Sequence, residues 1–422
     1  MSADCYRDGK FTIYQPIILY RKFTANNIFT GQALLPKGNV LITDENGVME
    51  SIVPAKDAGE DIEIFNGILC PGFVNAHCHL ELSHLKGLIP EKTGLVEFVF
   101  KIITERHFDE AQILAAIAIA EEEMLRCGIV AVGDICNNTL TIAQKKKGKL
   151  HYHNFIEVSG FVPAFAQDRF DKAKIILEQY QSELKNNIQC SIFNVQCSTL
   201  SPHAPYSVSP KLFQLINNAT ANELITIHNQ ETIAEEDFIK NKTGDFLQLY
   251  EKMGIDISFF KPAGKSSLQS WLPKINKNQS AILVHNVTTT AEDIEFTKLS
   301  TINHQPSTLH FCLCPNANLY ITNSSPNVNM LVEQGCNIVL GTDSLASNHQ
   351  LNIIEEIKTL HKNFPQLQLE TMLQWATING AKALQMDNVV GSFEKGKQPG
   401  VVLIEGIENQ QVNSKSASGR IL

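Results

Sequence analysis

The chain has 422 residues, of which 35 are Lys or Arg, 44 are Asp or Glu and 43% are hydrophobic. This composition is typical of a globular protein, and the length allows one large domain with an appendage or two to three domains. The net charge of −9 argues against a nucleic-acid partner, because phosphates favour a basic protein surface.

The sequence has no segment typical of export or membrane insertion. Its first residues are charged, and no run approaches the roughly 18 apolar residues that span a bilayer, so we expect a cytoplasmic protein without a membrane partner. Its 10 cysteines are scattered without a CxxC pair, which favours reduced core thiols over a disulfide framework. The oligomeric state stays open between a monomer and a homodimer.

Both ends of the chain have strand-and-turn character. Residues 1–70 contain short strand candidates, and the "DENG" segment (44–47) is typical of a hairpin turn. Residues 396–422 return to the same pattern and can pair with the first strands. We therefore predict a small composite β domain, similar to a β-sandwich, formed by residues 1–70 and 396–422. The strand candidates are 11–20, 22–29, 38–47 and 48–53.

Residues 71–395 alternate short apolar strands with long helical segments, such as those at 109–128 and 169–187. Such alternation predicts βα units around a parallel sheet. Eight strands in a region of this length indicate a (β/α)₈ barrel of the TIM type, with its active site at the carboxyl ends of the strands. The strand candidates are 72–77, 128–135, 151–159, 192–203, 224–231, 281–286, 309–316 and 336–343.

Polar residues end these strands, and histidine is prominent among them. One histidine at a strand end is usually structural, but five, with an aspartate at the last strand, converge on one mouth if the barrel forms. The residues in question are His77, His79, Asp134, Glu157, His203, His228, His285, Asn316 and Asp343.

The pair His77-x-His79 points toward a metal site. Side chains alternate along a strand, so both histidines face the same side, and His228 and Asp343 could complete the ligand set. Nitrogen and oxygen ligands without thiolate suit one catalytic divalent metal, Zn or Fe.

The segment "HNQE" places Glu231 three residues after His228 and at the exit of its strand. We assign Glu231 a catalytic role there. Favourable interaction with a helix N-terminus explains the following carboxylates, Glu235, Glu236 and Asp237. In "SPHAPYSVS" two prolines stiffen the backbone around His203, which fits either a turn before a helix or a donor held toward the substrate.

Six ordered segments at the strand ends resemble the amidohydrolase superfamily, in its branch of metal-dependent deaminases and chlorohydrolases. The resemblance covers nearly the whole chain, although "GKQPG" departs from the usual "GKxAD" phrase before the last strands. The matching segments are "PGFVNAHCHLELSHLKG", "SPHAPYSVS", "IHNQE", "LVHNV", "CPNANL" and "GTDSLASN", followed by "GSFEKGKQPG".

The resemblance implies roles for individual residues. It implies one catalytic metal, since strand 4 lacks the lysine that bridges two metals in other members of the superfamily. Its ligands would be His77, His79, His228 and Asp343. His285 and Asp343 would act on the hydrolytic water, and Glu231 would shuttle a proton to a ring nitrogen. His203 would contact the substrate, and Glu97 lies where related deaminases hold ribose hydroxyls.

The implied function is hydrolytic deamination of an amino-substituted nitrogen heterocycle, with release of ammonia. "LELS" and "SLASN" resemble the aminodeoxyfutalosine deaminases among those that act on adenine-bearing nucleosides. The alternatives are chlorohydrolase or amide-hydrolase activity with the same water, and a non-catalytic ligand-binding barrel, which would not need Glu231. A zinc deaminase of the other architecture is excluded, because no PCxxC follows.

Overall fold

A computed structural model of the protein describes residues 19–185, 195–276, 278–302 and 308–422. Within these ranges the strands are β1 (Tyr20–Thr24), β2 (Asn27–Phe29), β3 (Leu34–Leu35), β4 (Asn39–Asp44), β5 (Met49–Pro54), β6 (Ile62–Ile64), β7 (Ile68–Pro71), β8 (Phe73–Cys78), β9 (Ile129–Cys136), β10 (His151–Val158), β11 (Gln196–Pro202), β12 (Leu224–Asn229), β13 (Ser280–His285), β14 (Thr308–Leu313), β15 (Asn337–Leu340), β16 (Val401–Glu405) and β17 (Ala417–Arg420).

Helices follow most strands of the central region. They are α1 (Leu95–Glu105), α2 (Glu110–Arg126), α3 (Ile142–Lys145), α4 (Ala166–Lys185), α5 (Pro210–Ala219), α6 (Ile233–Asn241), α7 (Phe246–Lys252), α8 (Ser267–Trp271), α9 (Ala291–Ile302), α10 (Pro315–Thr322), α11 (Val328–Glu333), α12 (Ile353–Asn363), α13 (Leu369–Gln374) and α14 (Gly380–Ala383).

The eight strands predicted between residues 72 and 343 are present and form two parallel four-stranded sheets. One sheet has the order β11-β10-β9-β8 and the other the order β12-β13-β14-β15. At one boundary between the sheets, Cys78 and Asp343 form a parallel bridge. At the other, the His228 N–H donates to the His203 carbonyl at 2.9 Å. The α/β class with parallel sheets is therefore confirmed, and the carboxyl ends of both sheets lie together.

Helix α2 shows how the sequence covers these sheets. Asp109 caps its N-terminus by accepting from the Ala111 N–H at 3.0 Å. The buried apolar residues recur with a helical period and join the main apolar core. The helix ends before Gly128, whose φ of 92° lets the chain turn into β9. These buried residues are Ile113, Ile117, Ala120 and Met124.

The strands of the two chain ends form two further sheets, with the orders β5-β4-β1-β6 and β17-β16-β7-β2-β3. β16 pairs antiparallel with β7, so the C-terminal segment joins the N-terminal one as expected. Phe23 and Leu41 of one sheet share a buried cluster with Leu69 and Val401 of the other. The predicted strand at 11–20 lies almost entirely outside the described residues, and the division at residues 70 and 396 stays a prediction.

The structure bears on two further expectations. The eight cysteines within the described ranges are free thiols, and most of them are buried, whereas Cys5 and Cys190 lie outside those ranges. None of the described helices combines the length and the apolar character needed to cross a bilayer.

Candidate active site

Four predicted metal ligands meet at the carboxyl ends of the strands. His79 Nε2 lies 3.3 Å from His228 Nε2. Asp343 Oδ1 lies 3.5 Å from His77 Nε2 and 3.4 Å from His79 Nε2. Ligands at about 2.0–2.2 Å from a tetrahedral metal are about 3.4 Å apart, so these spacings fit one small cation. His77, His79 and His228 could hold it together.

Several ring nitrogens of these histidines can bind a metal ion. Both ring nitrogens of His77 and Nδ1 of His79 are buried without a hydrogen-bond partner. His228 Nδ1 donates to the His203 carbonyl at 2.9 Å, which leaves the lone pair of Nε2 directed at His79. Burial lowers the pKa of His79 to about 3 and that of His228 well below its usual value, so both rings are neutral. The donor set therefore fits a divalent metal.

Asp343 is held in position by its own turn. Its backbone has φ of 57°, and its N–H donates to the His77 carbonyl at 3.1 Å. The Ser347 hydroxyl donates to Asp343 Oδ2 at 2.6 Å, so the other carboxylate oxygen faces the histidines. A side chain at Gly341 would come within 2.9 Å of both Cys312 Sγ and the His77 carbonyl. The "GTD" segment thus packs directly on the end of β8.

Glu231 and His285 form a second pair beside the ligands. Glu231 Oε1 lies 3.5 Å from His285 Nε2, and both side chains are buried. His285 Nδ1 lies 2.8 Å from Asn318 Oδ1, which assigns the ring proton to Nδ1 and leaves Nε2 as an acceptor. Burial, with a smaller contribution from Asp343, raises the pKa of Glu231 well above its usual value. This shift favours the protonated form of Glu231, which is the form that can donate a proton.

Glu235 supports the turn that carries Glu231, a contact that the sequence analysis did not predict. It is fully buried, and its carboxylate accepts the backbone N–H groups of Gln230 and Glu231. Burial raises its pKa to about 8. Its position near the start of α6 is typical of an ordinary solvated helix N-terminus, so no sequence signal separates it from its neighbours.

His203 lies beside the predicted ligands. Its ring centroid is 4.9 Å from that of His228, and its Nδ1 is 2.5 Å from the Ser207 hydroxyl. Burial lowers its pKa to about 4, so the ring is neutral and its other nitrogen can contact a bound molecule. Its role in substrate binding stays a prediction.

A cavity of about 250 Å³ opens onto these groups. One wall is apolar and comes largely from α1 and the segment around α7, including Leu95, Phe98, Ile102, Leu249 and Met253. Polar side chains also line the cavity, among them Arg106, Asn137, Glu157, Arg169 and His203. The cavity therefore accommodates a molecule with one polar face and one apolar portion.

Two carboxylates lie differently from what their positions in the sequence suggest. Glu97 is half-buried on α1, where it lies 3.5 Å from Lys252 Nζ, and it does not line the cavity. As a substrate contact it stays a prediction. Glu157, which the sequence places at a strand end without a role, does line the cavity, and burial raises its pKa to about 7.

The chain resembles known deaminases in sequence and in fold. The sequence profile of the Amidohydrolase family matches residues 68–420. A 5'-deoxyadenosine deaminase of Methanocaldococcus jannaschii is 29% identical over 372 residues, which cover 83% of this chain and 78% of that protein. A 5-methylthioadenosine/S-adenosylhomocysteine deaminase of Saccharophagus degradans is 29% identical over 396 residues, or 88% and 79% of the two chains.

The fold also matches a solved structure. The crystal structure of Helicobacter pylori aminofutalosine deaminase in complex with methylthio-coformycin aligns with a TM-score of 0.77 over 93% of each chain, at 19% identity. The family profile spans most of this chain and includes every residue of the candidate site. The chain belongs to the amidohydrolase family.

Proposed function

We propose that the protein is a hydrolytic deaminase of adenine-bearing nucleosides. The observation that carries this proposal is the pair of Glu231 and His285 beside the four predicted ligands. A buried carboxyl group and an imidazole acceptor, 3.5 Å apart, can give a proton to the ring nitrogen and accept one from the attacking water. The names of the two curated relatives agree with this substrate class.

Each residue of the site has a separate role in the proposed reaction. A divalent metal held by His77, His79, His228 and Asp343 would supply a water with a pKa lowered to about 7. His285 and Asp343 orient the attacking water and accept its proton. Glu231 protonates the ring nitrogen next to the carbon that carries the amino group, so the adduct builds no full negative charge on the ring. The proton taken from the water is then passed to the amino group, and Glu231 takes the remaining proton of the added hydroxyl, so that collapse of the adduct releases ammonia, leaves a carbonyl group and restores the acid.

We infer that the eight strands β8–β15 close into one barrel. The Cys78–Asp343 bridge and the His228–His203 hydrogen bond connect the two sheets at both of their boundaries. A closed parallel barrel would place all eight carboxyl ends around one mouth. The strands of both termini would then form the separate small domain that the sequence predicts at residues 1–70 and 396–422.

We propose zinc as the metal, bound singly. Three imidazoles and one carboxylate suit zinc, which has no strong geometric preference beyond four or five ligands. Iron would accept the same donors, so metal analysis of the purified protein distinguishes the two. Zinc at one equivalent per chain supports the assignment, whereas iron at one equivalent would replace it.

The apolar wall suggests which nucleosides fit best. Adenine would lie with its amino-bearing carbon at the ligand cluster, so the sugar's 5' substituent would extend along α1 and α7. Apolar side chains there favour a 5' group without a hydroxyl, such as a 5'-deoxy or a thioether group. 5'-Deoxyadenosine and 5'-methylthioadenosine are therefore the first candidates, followed by aminodeoxyfutalosine, whose 5' extension is larger.

A panel of substrates tests the proposed function. The metal-loaded enzyme is incubated with the three nucleosides above, adenosine, adenine, an amino-triazine and a chloro-triazine, and both ammonia and chloride are measured. Faster ammonia release from adenine nucleosides than from the other compounds supports the proposal. Chloride release from the chloro-triazine without ammonia from any nucleoside would instead establish a chlorohydrolase.

A further inference from the structure

Glu157 is a carboxylate of the cavity that the proposed chemistry does not use. It lies near the carboxyl end of β10, and its side chain is 7% exposed. The carboxylates that line the cavity are Glu157, Glu231 and Asp343. The proposed reaction assigns roles to Glu231 and Asp343 and none to Glu157, which is therefore a candidate for substrate binding.

One oxygen of Glu157 is fixed by the protein and the other is available. Asn137 Nδ2 donates to Glu157 Oε2 at 3.0 Å, while the Asn137 backbone N–H donates to the buried Glu81 at 3.0 Å. Glu81 in turn pairs with Arg106 at 3.2 Å. Among the residues that the structure describes, none donates a hydrogen bond to Glu157 Oε1, which faces the cavity wall beside His228.

Glu157 lies beside the Nδ1 edge of the His228 ring, whereas the other predicted ligands lie beside its Nε2 edge. Glu157 Oε1 lies 3.7 Å from His228 Nδ1, beyond hydrogen-bond distance, and that nitrogen already donates to the His203 carbonyl. His228 Nε2, on the far side of the ring, faces the other ligands. Glu157 therefore borders the edge of His228 that points away from the ligand cluster.

The donors of an adenine nucleoside limit what Glu157 can bind. The ring nitrogens accept hydrogen bonds, and the donors are the exocyclic amine and the sugar hydroxyls. The amine must lie at the ligand cluster, on the other side of His228. A carboxyl group is also the group that proteins use to accept from ribose hydroxyls in dinucleotide sites. The sugar hydroxyls are therefore the donors from which Glu157 can accept a hydrogen bond.

We propose that Glu157 is a specificity residue that accepts hydrogen bonds from the 2' and 3' hydroxyls of the substrate's ribose. The proposal rests on the proposed function. Asn137 holds the carboxylate so that its free oxygen points at the sugar. The enzyme accordingly selects ribonucleosides over the free base and over nucleosides that lack these hydroxyls.

Paired substrates test this contact. The value of kcat/KM is measured for adenosine and 2',3'-dideoxyadenosine, which share the same base and the same 5' group, with the metal-loaded wild type and Glu157→Gln. A charge-assisted hydrogen bond contributes about 10- to 100-fold. We expect the wild type to prefer adenosine by about 100-fold in kcat/KM. In the variant this ratio should fall by about 10-fold or more, because kcat/KM falls for adenosine and stays unchanged for 2',3'-dideoxyadenosine.

Two further variants complete the experiment. Glu178→Gln removes the same charge from the exposed face of α4 and serves as the control, with the wild-type ratio expected. Glu97→Gln tests the alternative carboxylate. The proposal is overturned if the wild type does not discriminate, if Glu157→Gln keeps the full ratio, or if only Glu97→Gln changes it. These results leave the proposed function intact, whereas absence of ammonia from every nucleoside would overturn both.

Discussion

The carboxylate of Glu235 holds the backbone of Glu231. Its Oε2 accepts the Glu231 N–H at 2.9 Å, and its Oε1 accepts the Gln230 N–H at 3.1 Å and the Ser267 hydroxyl. Gln230 has φ of 49°, so the turn between β12 and α6 is in the left-handed region. The direction of the proposed acid thus depends on a second, fully buried carboxylate.

The variant Glu235→Gln should lower kcat while metal content is retained. Both oxygens of the carboxyl group can accept hydrogen bonds, whereas the nitrogen of the amide cannot, so one backbone N–H group would lose its partner at a cost of about 1–3 kcal/mol. A displacement of the acid by about 1 Å can reduce the rate roughly 100-fold. We therefore expect kcat for 5'-deoxyadenosine to fall by about 10- to 100-fold, with a smaller change in KM.

The matched control for this prediction is Asp237→Asn, which removes a half-buried charge two residues further along α6. It should keep kcat within about twofold of the wild type, since surface substitutions have small effects. Equal losses in the two variants would indicate a general effect on α6 and contradict a specific role for Glu235.

The variant Glu231→Gln should bind metal normally and lose turnover. Glutamine has nearly the same shape but cannot donate a carboxylic proton, and a positioned acid or base contributes about 100- to 10,000-fold. Single-turnover rates together with metal analysis distinguish this loss from loss of the site. Near-normal turnover in a variant with full metal content would remove Glu231 from the mechanism.

Removal of the metal should destabilise the protein as well as inactivate it. A cation that binds only the folded state stabilises it by about 4 kcal/mol at a thousandfold excess over its Kd. We expect a chelator to lower Tm and zinc to restore it. In His228→Ala this response should disappear, whereas the exposed His107→Ala should behave as the wild type. An unchanged Tm after removal of all metal would contradict the ligand assignment.

The pH dependence of stability should report on Glu356. Burial raises its pKa to about 8 from 4.5, although it accepts from Asn348 Nδ2 at 2.8 Å and from the Asn316 N–H at 2.9 Å. The folded state therefore holds the proton more tightly, and this stabilisation is complete below about pH 4.5 and is lost as the pH rises to about 8. Relative to Glu356→Gln, the wild type should lose stability over this window in thermal unfolding. A constant difference between the two proteins would refute the shift.

The sequence predicted the strands and the meeting of the four proposed ligands because both follow from local patterns. Apolar runs of strand length end in His77, His228 and Asp343. Because parallel strands have their carboxyl ends at the same edge of a sheet, the strand assignment alone predicts that these residues lie together. The alternation of His77 and His79 placed Cys78 on the opposite side, and Cys78 indeed lies in the apolar core.

The sequence could not predict the contacts that shape the rest of the site. Glu157 is held by Asn137, 20 residues earlier, and Glu235 contacts Ser267, 32 residues later. Neither pair has a local pattern. Glu97 illustrates a second reason. Leu95 and Phe98 of α1 are buried, so the helical period places Glu97 on the more exposed side of the helix.

The most direct test of a mononuclear deaminase is the rate of ammonia release as metal is returned to metal-free protein. 5'-Deoxyadenosine is supplied in excess, and bound zinc per chain is measured in the same samples. We predict that the rate rises in proportion to bound zinc and stops rising at one zinc per chain. No ammonia at any zinc content, or a rise that continues to two zinc ions per chain, would contradict the account.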